Sequence, residues 1–187
     1  GKRGQTVKGV PYCWGCKTRL EDFMDGVEKG QTAGIVCTKS APQTNILGVD
    51  CSGFVSDAWG LKMHVSTRAI PGITKRVADP WSMRPGDALN KPGSHVMLFL
   101  RFTPDRKAEV MESSTGGCNG RVCRNVYPLG ALLERGYTPV RFRGLAEDET
   151  IVSASAYQEA EAPGKSSDKA SNKASNKVSK KPHAAKR

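Results

Sequence analysis

The chain has 187 residues, enough for one globular domain with a core and some length to spare. Hydrophobic residues make up 37% and the net charge is +11. No run of about 18 apolar residues occurs, which excludes a membrane-spanning helix. Gly1-Lys2-Arg3 leads straight into polar sequence with no signal peptide, and a start without Met reads as a chain trimmed of one.

Residues 7–14 read as an extended opening segment. Between residues 19 and 29, Leu20, Phe23, Met24 and Val27 recur at helical spacing opposite Glu21, Asp22, Asp25 and Glu28. This predicts a short amphipathic helix, with Gly30 as its stop. Residues 31–48 are rich in Gly, Thr, Ser, Pro and Asn and read as loop. From Asp50 to Trp59, the residues Phe54, Val55, Ala58 and Trp59 share one stripe, and Asp50 suits an N-cap, so a helix is expected to start at Cys51. Residues 66–78 read as weakly helical. Met83-Arg84-Pro85-Gly86-Asp87 marks a turn. His95–Phe102 is apolar nearly throughout and is predicted as a strand covered on both faces. Thr103-Pro104-Asp105-Arg106 is a hairpin turn, residues 108–114 a returning strand, and residues 137–143 a later one. Helix first, then strands joined by tight turns, predicts an α+β fold with an antiparallel sheet.

The C-terminal end differs in kind. From Lys165 to Arg187 eight Lys and Arg side chains face Asp168 alone, a contribution of +7 that leaves +4 for residues 1–164. Such a segment buries too little apolar surface to offset its ordering entropy and is expected to be disordered. Residues 1–150 are therefore read as the folded domain and residues 151–187 as a Lys/Ser/Ala-rich tail. The tail suits any polyanion, an anionic wall polymer included, but its lack of interleaved aromatic residues weakens a base-stacking role.

Chemistry concentrates at Cys51. A thiol at a helix N-terminus sits where the backbone dipole favours the thiolate, and its own N–H is placed to hold an oxyanion. His95 heads the most apolar strand, a rigid support for a base. Pairing of residues 95–102 with 108–114 puts Glu112 near His95, where it accepts the ring N–H in the manner of a triad. His64 lies on the exit of the Cys51 helix and is expected to point elsewhere; His183 falls in the tail. The other cysteines, Cys13, Cys16, Cys37, Cys118 and Cys123, leave two readings open. Four of them form two disulfides, or Cys13-x-x-Cys16 and Cys118-x4-Cys123 meet at a zinc ion.

Four motifs occur in a telling order: Pro11-Tyr12-x-Trp14-Gly15, Gly48-x-Asp50-Cys51-Ser52-Gly53-Phe54-Val55, Pro85-Gly86-Asp87, and His95-Val96 leading an apolar strand. Over about residues 9–114 the chain resembles the NlpC-type papain-like cysteine peptidases of bacterial cell walls. The resemblance implies a papain-like fold, N-terminal helices packed on an antiparallel sheet. It implies Cys51 as nucleophile, His95 as general base and Glu112 as the third polar residue. Tyr12 and Trp14 would line the site, and Asp50 and Ser52 would help bind the free amino end of a wall peptide. The implied reaction is hydrolysis of an amide in peptidoglycan stem peptides, often from D-glutamate to the diamino acid. No metal or organic cofactor is implied, and the setting would be secreted or the cell envelope.

Three departures from that family stand out. Glu112 replaces its usual His, Asn or Gln. Residues 17–47 are longer than usual between the Trp-Gly turn and the nucleophile and read as an insertion bordering the cleft. Cys13 and Cys16 flank a turn that more often carries a second glycine. Within the same class the alternative is an amidase cutting the sugar-to-alanine bond; outside it, the alternative is a silent wall-binding or scaffolding protein.

Overall fold

The computed structural model describes residues 8–33 and 46–145. Every described element belongs to the unit Gly1–Glu147; Cys37 and the basic tail with His183 lie outside the described residues. The elements in chain order are α1 (Leu20–Glu28), β1 (Thr32–Ala33), β2 (Ile46–Leu47), α2 (Cys51–Ala58), α3 (Ile70–Ile73), β3 (Thr74–Arg76), β4 (Ala88–Lys91), β5 (His95–Phe102), β6 (Lys107–Ser114), β7 (Arg121–Pro128), α4 (Leu129–Glu134) and β8 (Thr138–Phe142). The fold is α+β, with six strands in one antiparallel sheet of order β3-β8-β4-β5-β6-β7. No described helix is long and apolar enough to cross a membrane.

Side-chain alternation along β5 explains why its sequence is apolar nearly throughout. Val96 and Leu98 join Phe54 and Val55 of α2, and Trp59 just after it, on one face. Met97 and Phe99 join Leu129 and Leu132 of α4 on the other. Successive strand residues point to opposite faces, so a strand covered on both sides needs apolar residues at every step. The cover ends before Arg101, which is exposed.

The Pro85-Gly86-Asp87 turn fastens α2 to the sheet. The Gly86 carbonyl accepts the Trp59 indole N–H at 2.8 Å, and Trp59 stacks on Phe142 of β8. Asp87 is 1% exposed and receives Arg141 Nε and Nη2 at 2.7 Å each, plus the Arg84 N–H at 2.8 Å. This two-pronged ion pair ties the head of β4 to β8.

Several expectations are corrected. Residues 66–78 hold only one helical turn, Ile70–Ile73, before becoming β3. Ile73, Thr74 and Val77 suit a strand, and pairing with β8 (Thr74↔Phe142, Arg76↔Val140) outweighs a weak helical pattern. The stretch 31–48 is not loop throughout, because Thr32–Ala33 and Ile46–Leu47 pair as parallel strands. In α1, Met24 and Val27 are exposed, not buried. The helix meets β2 at Gly26, where a Cβ would lie 2.6 Å from a Leu47 methyl carbon. β4, β7 and α4 were not anticipated; β4 and α4 are too short for periodicity to register.

Candidate active site

Cys51 is the first residue of α2, and Asp50 is its N-cap. Asp50 Oδ1 accepts the Gly53 N–H at 2.6 Å and the Ser52 hydroxyl at 3.0 Å, and Oδ2 accepts the Gly15 N–H at 3.1 Å. The carboxylate thus fixes the helix start and the 13–16 turn together. As the first residue of the helix, Cys51 has an N–H without an intrahelical acceptor. Gly48 precedes this corner because the chain passes too close for a side chain: a Cβ there would lie 2.8 Å from the Pro11 carbonyl oxygen.

His64 belongs to the same corner, contrary to the expectation that it points elsewhere. Its Nε2 lies 2.8 Å from Ser52 Oγ and 3.3 Å from Asp50 Oδ1. The turn after α2 brings the chain back on itself, as the Ser56 hydroxyl bonds to the backbone of Val65 show. Burial resists charge on Asp50, but hydrogen bonds from His64, Gly53 and Ser52 outweigh it and hold the carboxyl below the usual aspartate range. Asp50 and Ser52 are both buried and engaged with these neighbours.

His95 begins β5 beside this helix head. On one side its ring is close enough to Cys51 for the thiol to act on its charge. On the other, Nε2 lies 2.6 Å from Glu112 Oε2. With Nε2 taken, Nδ1 is the nitrogen left for Cys51. Burial disfavours the imidazolium, but the interactions with Cys51 and Glu112 outweigh it and raise the His95 pKa to about 9.

Glu112 reaches His95 diagonally. The β5–β6 ladder runs Leu98↔Met111 and Phe99↔Val110, with an irregularity between Phe99 and Arg101. Continued in step, it sets His95 level with Ser114, two residues beyond Glu112. An offset of two preserves the face, and a glutamate spans the remaining gap. β6 is an interior strand, and Glu112 is 2% exposed. Its Oε1 accepts the Tyr127 hydroxyl at 2.7 Å and the Asn125 amide at 2.8 Å. Burial resists charge here too, yet the bonds from His95, Tyr127 and Asn125 hold the Glu112 carboxyl below the usual glutamate range. Burial, with the Glu112 carboxylate adding to it, pushes the Tyr127 phenol up to about 12.

The cysteines outside α2 form two disulfides, Cys13–Cys16 and Cys118–Cys123. Each pair closes on itself, so the two do not meet at a zinc ion as the alternative reading required. Cys51 is the free cysteine among the described residues. Cys118 Sγ lies 3.5 Å from the Glu112 carbonyl, and the Gly117 carbonyl accepts the Asn125 amide at 3.2 Å, so the second disulfide braces the loop behind Glu112.

Of the other sequence candidates, Tyr12 forms a β-bridge with Val49, two residues before the thiol. Trp14 is 45% exposed in the turn between Cys13 and Cys16. Sequence reasoning missed His64, Asn125 and Tyr127, and with them Arg135 and Tyr137, which line the cleft next to His95. No family model matches the chain, and no curated protein matches it significantly.

Proposed function

We propose that the chain is a cysteine hydrolase of papain-like fold that cleaves an amide in peptidoglycan stem peptides, of the D-glutamyl–diamino acid endopeptidase type. The observation that carries this reading is one imidazole hydrogen-bonded to a buried carboxylate and within interaction range of a thiol at a helix head. The order of the Pro-Tyr-x-Trp-Gly, Asp-Cys-Ser-Gly-Phe, Pro-Gly-Asp and His-Val motifs supports the family and, through it, the substrate. Two disulfides suit an oxidising, secreted or cell-envelope setting.

In this mechanism Cys51 Sγ attacks the scissile carbonyl carbon while its proton passes to His95. The Cys51 N–H stabilises the oxyanion. Collapse expels the amine, which takes the proton from His95, and leaves a thioester on Cys51. A water molecule, deprotonated by His95, then attacks the thioester; the carboxylic acid leaves and the thiol is restored. Glu112 keeps the ring oriented throughout and stabilises its charged form. The raised His95 pKa means that a proton, once on the imidazole, is held there at neutral pH until the leaving amine takes it.

The test is digestion of purified sacculi by wild type and Cys51→Ala. Wild type is expected to release peptide fragments whose masses identify a D-glutamyl–diamino acid cut, and Cys51→Ala to release none while keeping its melting temperature within a few degrees. Equal digestion by both proteins would refute a thiol mechanism. Fragments ending at a free L-alanine amine, with the whole stem released from sugar, would reassign the enzyme as an amidase.

A further inference from the structure

A cleft of about 380 Å³ runs from His95 to the corner between α4 and β8. His95, Met97, Glu112, Tyr127, Arg135 and Tyr137 line it, and no residue of the 11–16 turn or of α2 does. It is therefore distinct from the Asp50–Ser52–His64 cluster. Four of its polar groups are committed: Glu112 to His95, Tyr127 to Glu112, and the Ser114 hydroxyl, which accepts the Gly117 N–H. Two are not. The exposed Arg135 guanidinium lies over the Tyr137 ring, 5.8 Å from its centre, and makes no ion pair among the described residues. The Tyr137 ring packs edge-on to His95 and is 8% exposed, yet its hydroxyl has no hydrogen-bond partner among the described residues.

We propose that this cleft is a subsite for a carboxylate on the residue that leaves with the amine, paired by the Arg135 guanidinium and hydrogen-bonded by the Tyr137 hydroxyl. The inference rests on the amide-hydrolase reading, in which His95 protonates the leaving amine. His95 forms one wall of the cleft, so the departing residue lies in it. A fixed cation and a neutral O–H donor complement a carboxylate and repel an ammonium group. The side chain of the diamino acid in a wall peptide can end in a free carboxylate, an amidated one, or none. The cleft selects the first.

The experiment uses paired muropeptides, identical except that this carboxylate is free or amidated. Turnover is measured with the full chain, wild type and Arg135→Gln. Wild type is expected to favour the free acid on the order of tenfold to a hundredfold in kcat/KM, and Arg135→Gln to bring the ratio close to one. Arg135→Lys should restore part of the preference and Tyr137→Phe should lower it. A wild-type ratio near one, or the same ratio in Arg135→Gln, overturns the subsite. Calorimetry with Cys51→Ala and the same two peptides gives a readout independent of turnover. Tighter binding of the free acid that disappears in Cys51→Ala/Arg135→Gln supports the subsite even if wild type cleaves neither peptide, which would refute only the hydrolase reading. Equal cleavage of both peptides keeps the hydrolase and removes the subsite.

Discussion

Tyr127 donates its hydroxyl to Glu112 Oε1 at 2.7 Å, and so decides which oxygen of that carboxylate remains for His95. Asn125 backs the same oxygen from the same strand. Removing the phenol leaves the carboxylate freer to rotate away from the imidazole. Tyr127→Phe is expected to lower kcat about tenfold, the scale of one hydrogen bond to a charged group, with KM little changed. An NMR titration should find the His95 pKa below that of wild type. Unchanged kcat and an unchanged titration would show that Asn125 alone positions Glu112.

The pH dependence of stability follows from His95. Its folded pKa of about 9 lies above the ordinary value of 6.5, so its contribution is complete below pH 6.5 and is lost as pH rises through 9. The total is about 3 kcal/mol. Glu112→Gln removes one of the two groups that hold the proton, so the loss should be smaller and should finish at lower pH. Urea midpoints of both proteins between pH 6 and 10 check this. Parallel curves would mean that Glu112 does not stabilise the imidazolium. On the acid side the sign reverses: Glu112, held below 4.5, stabilises the fold above that pH and loses its contribution as pH falls through its lowered value.

Asp87 is buried and its guanidinium partner is half-buried, and breaking such a pair from one side leaves a poorly compensated charge. Asp87→Ala is expected to destabilise the domain by about 3–5 kcal/mol, seen as a lower urea midpoint with an unchanged slope. A loss under about 1 kcal/mol, the range of surface pairs, would show that water reaches Arg141 once the carboxylate is gone.

The Cys118–Cys123 bridge closes a short loop and is worth about 2 kcal/mol by chain entropy. Replacing both cysteines by serine should lower stability by that amount. It should also reduce activity beyond what stability explains, because the loop carries contacts to Glu112 and Asn125. Activity measured well below the melting temperature separates the two effects. Full activity there would confine the bridge to stability.

The sequence was most legible where one pattern had one cause. The helix from Cys51 announced itself through its cap and stripe, and β5 through an unbroken apolar run, and both lie where they were expected. β7 hid for the opposite reason. Its half-buried positions include Cys123, Asn125 and Tyr127, while Val126 is exposed, so the usual alternation is inverted. Those inward polar groups serve Glu112, and a strand that supports a buried carboxylate does not look like a strand that fills a core. Had β7 been recognised, the two-residue spacing of Asn125 and Tyr127 would have placed both on the face of Glu112. His64 left no such trace: its arrival at Ser52 depends on a reversal of the chain that no local pattern encodes. The register of β5 on β6 was readable only to within two residues: the ladder sets His95 level with Ser114, not Glu112, and an offset of two keeps the face.

The N–H of Tyr12 bonds to the Gly120 carbonyl, and the Val122 N–H to the Val10 carbonyl. The beginning of the described chain thus pairs both with Val49 and with a segment more than a hundred residues downstream. During synthesis its partner at Val49 is made early, but the second partner comes only when β7 has left the ribosome, and such long-range closure slows folding. A bulky fusion placed immediately before residue 9 would sit against that late-made seam, so a purification handle belongs at the other terminus.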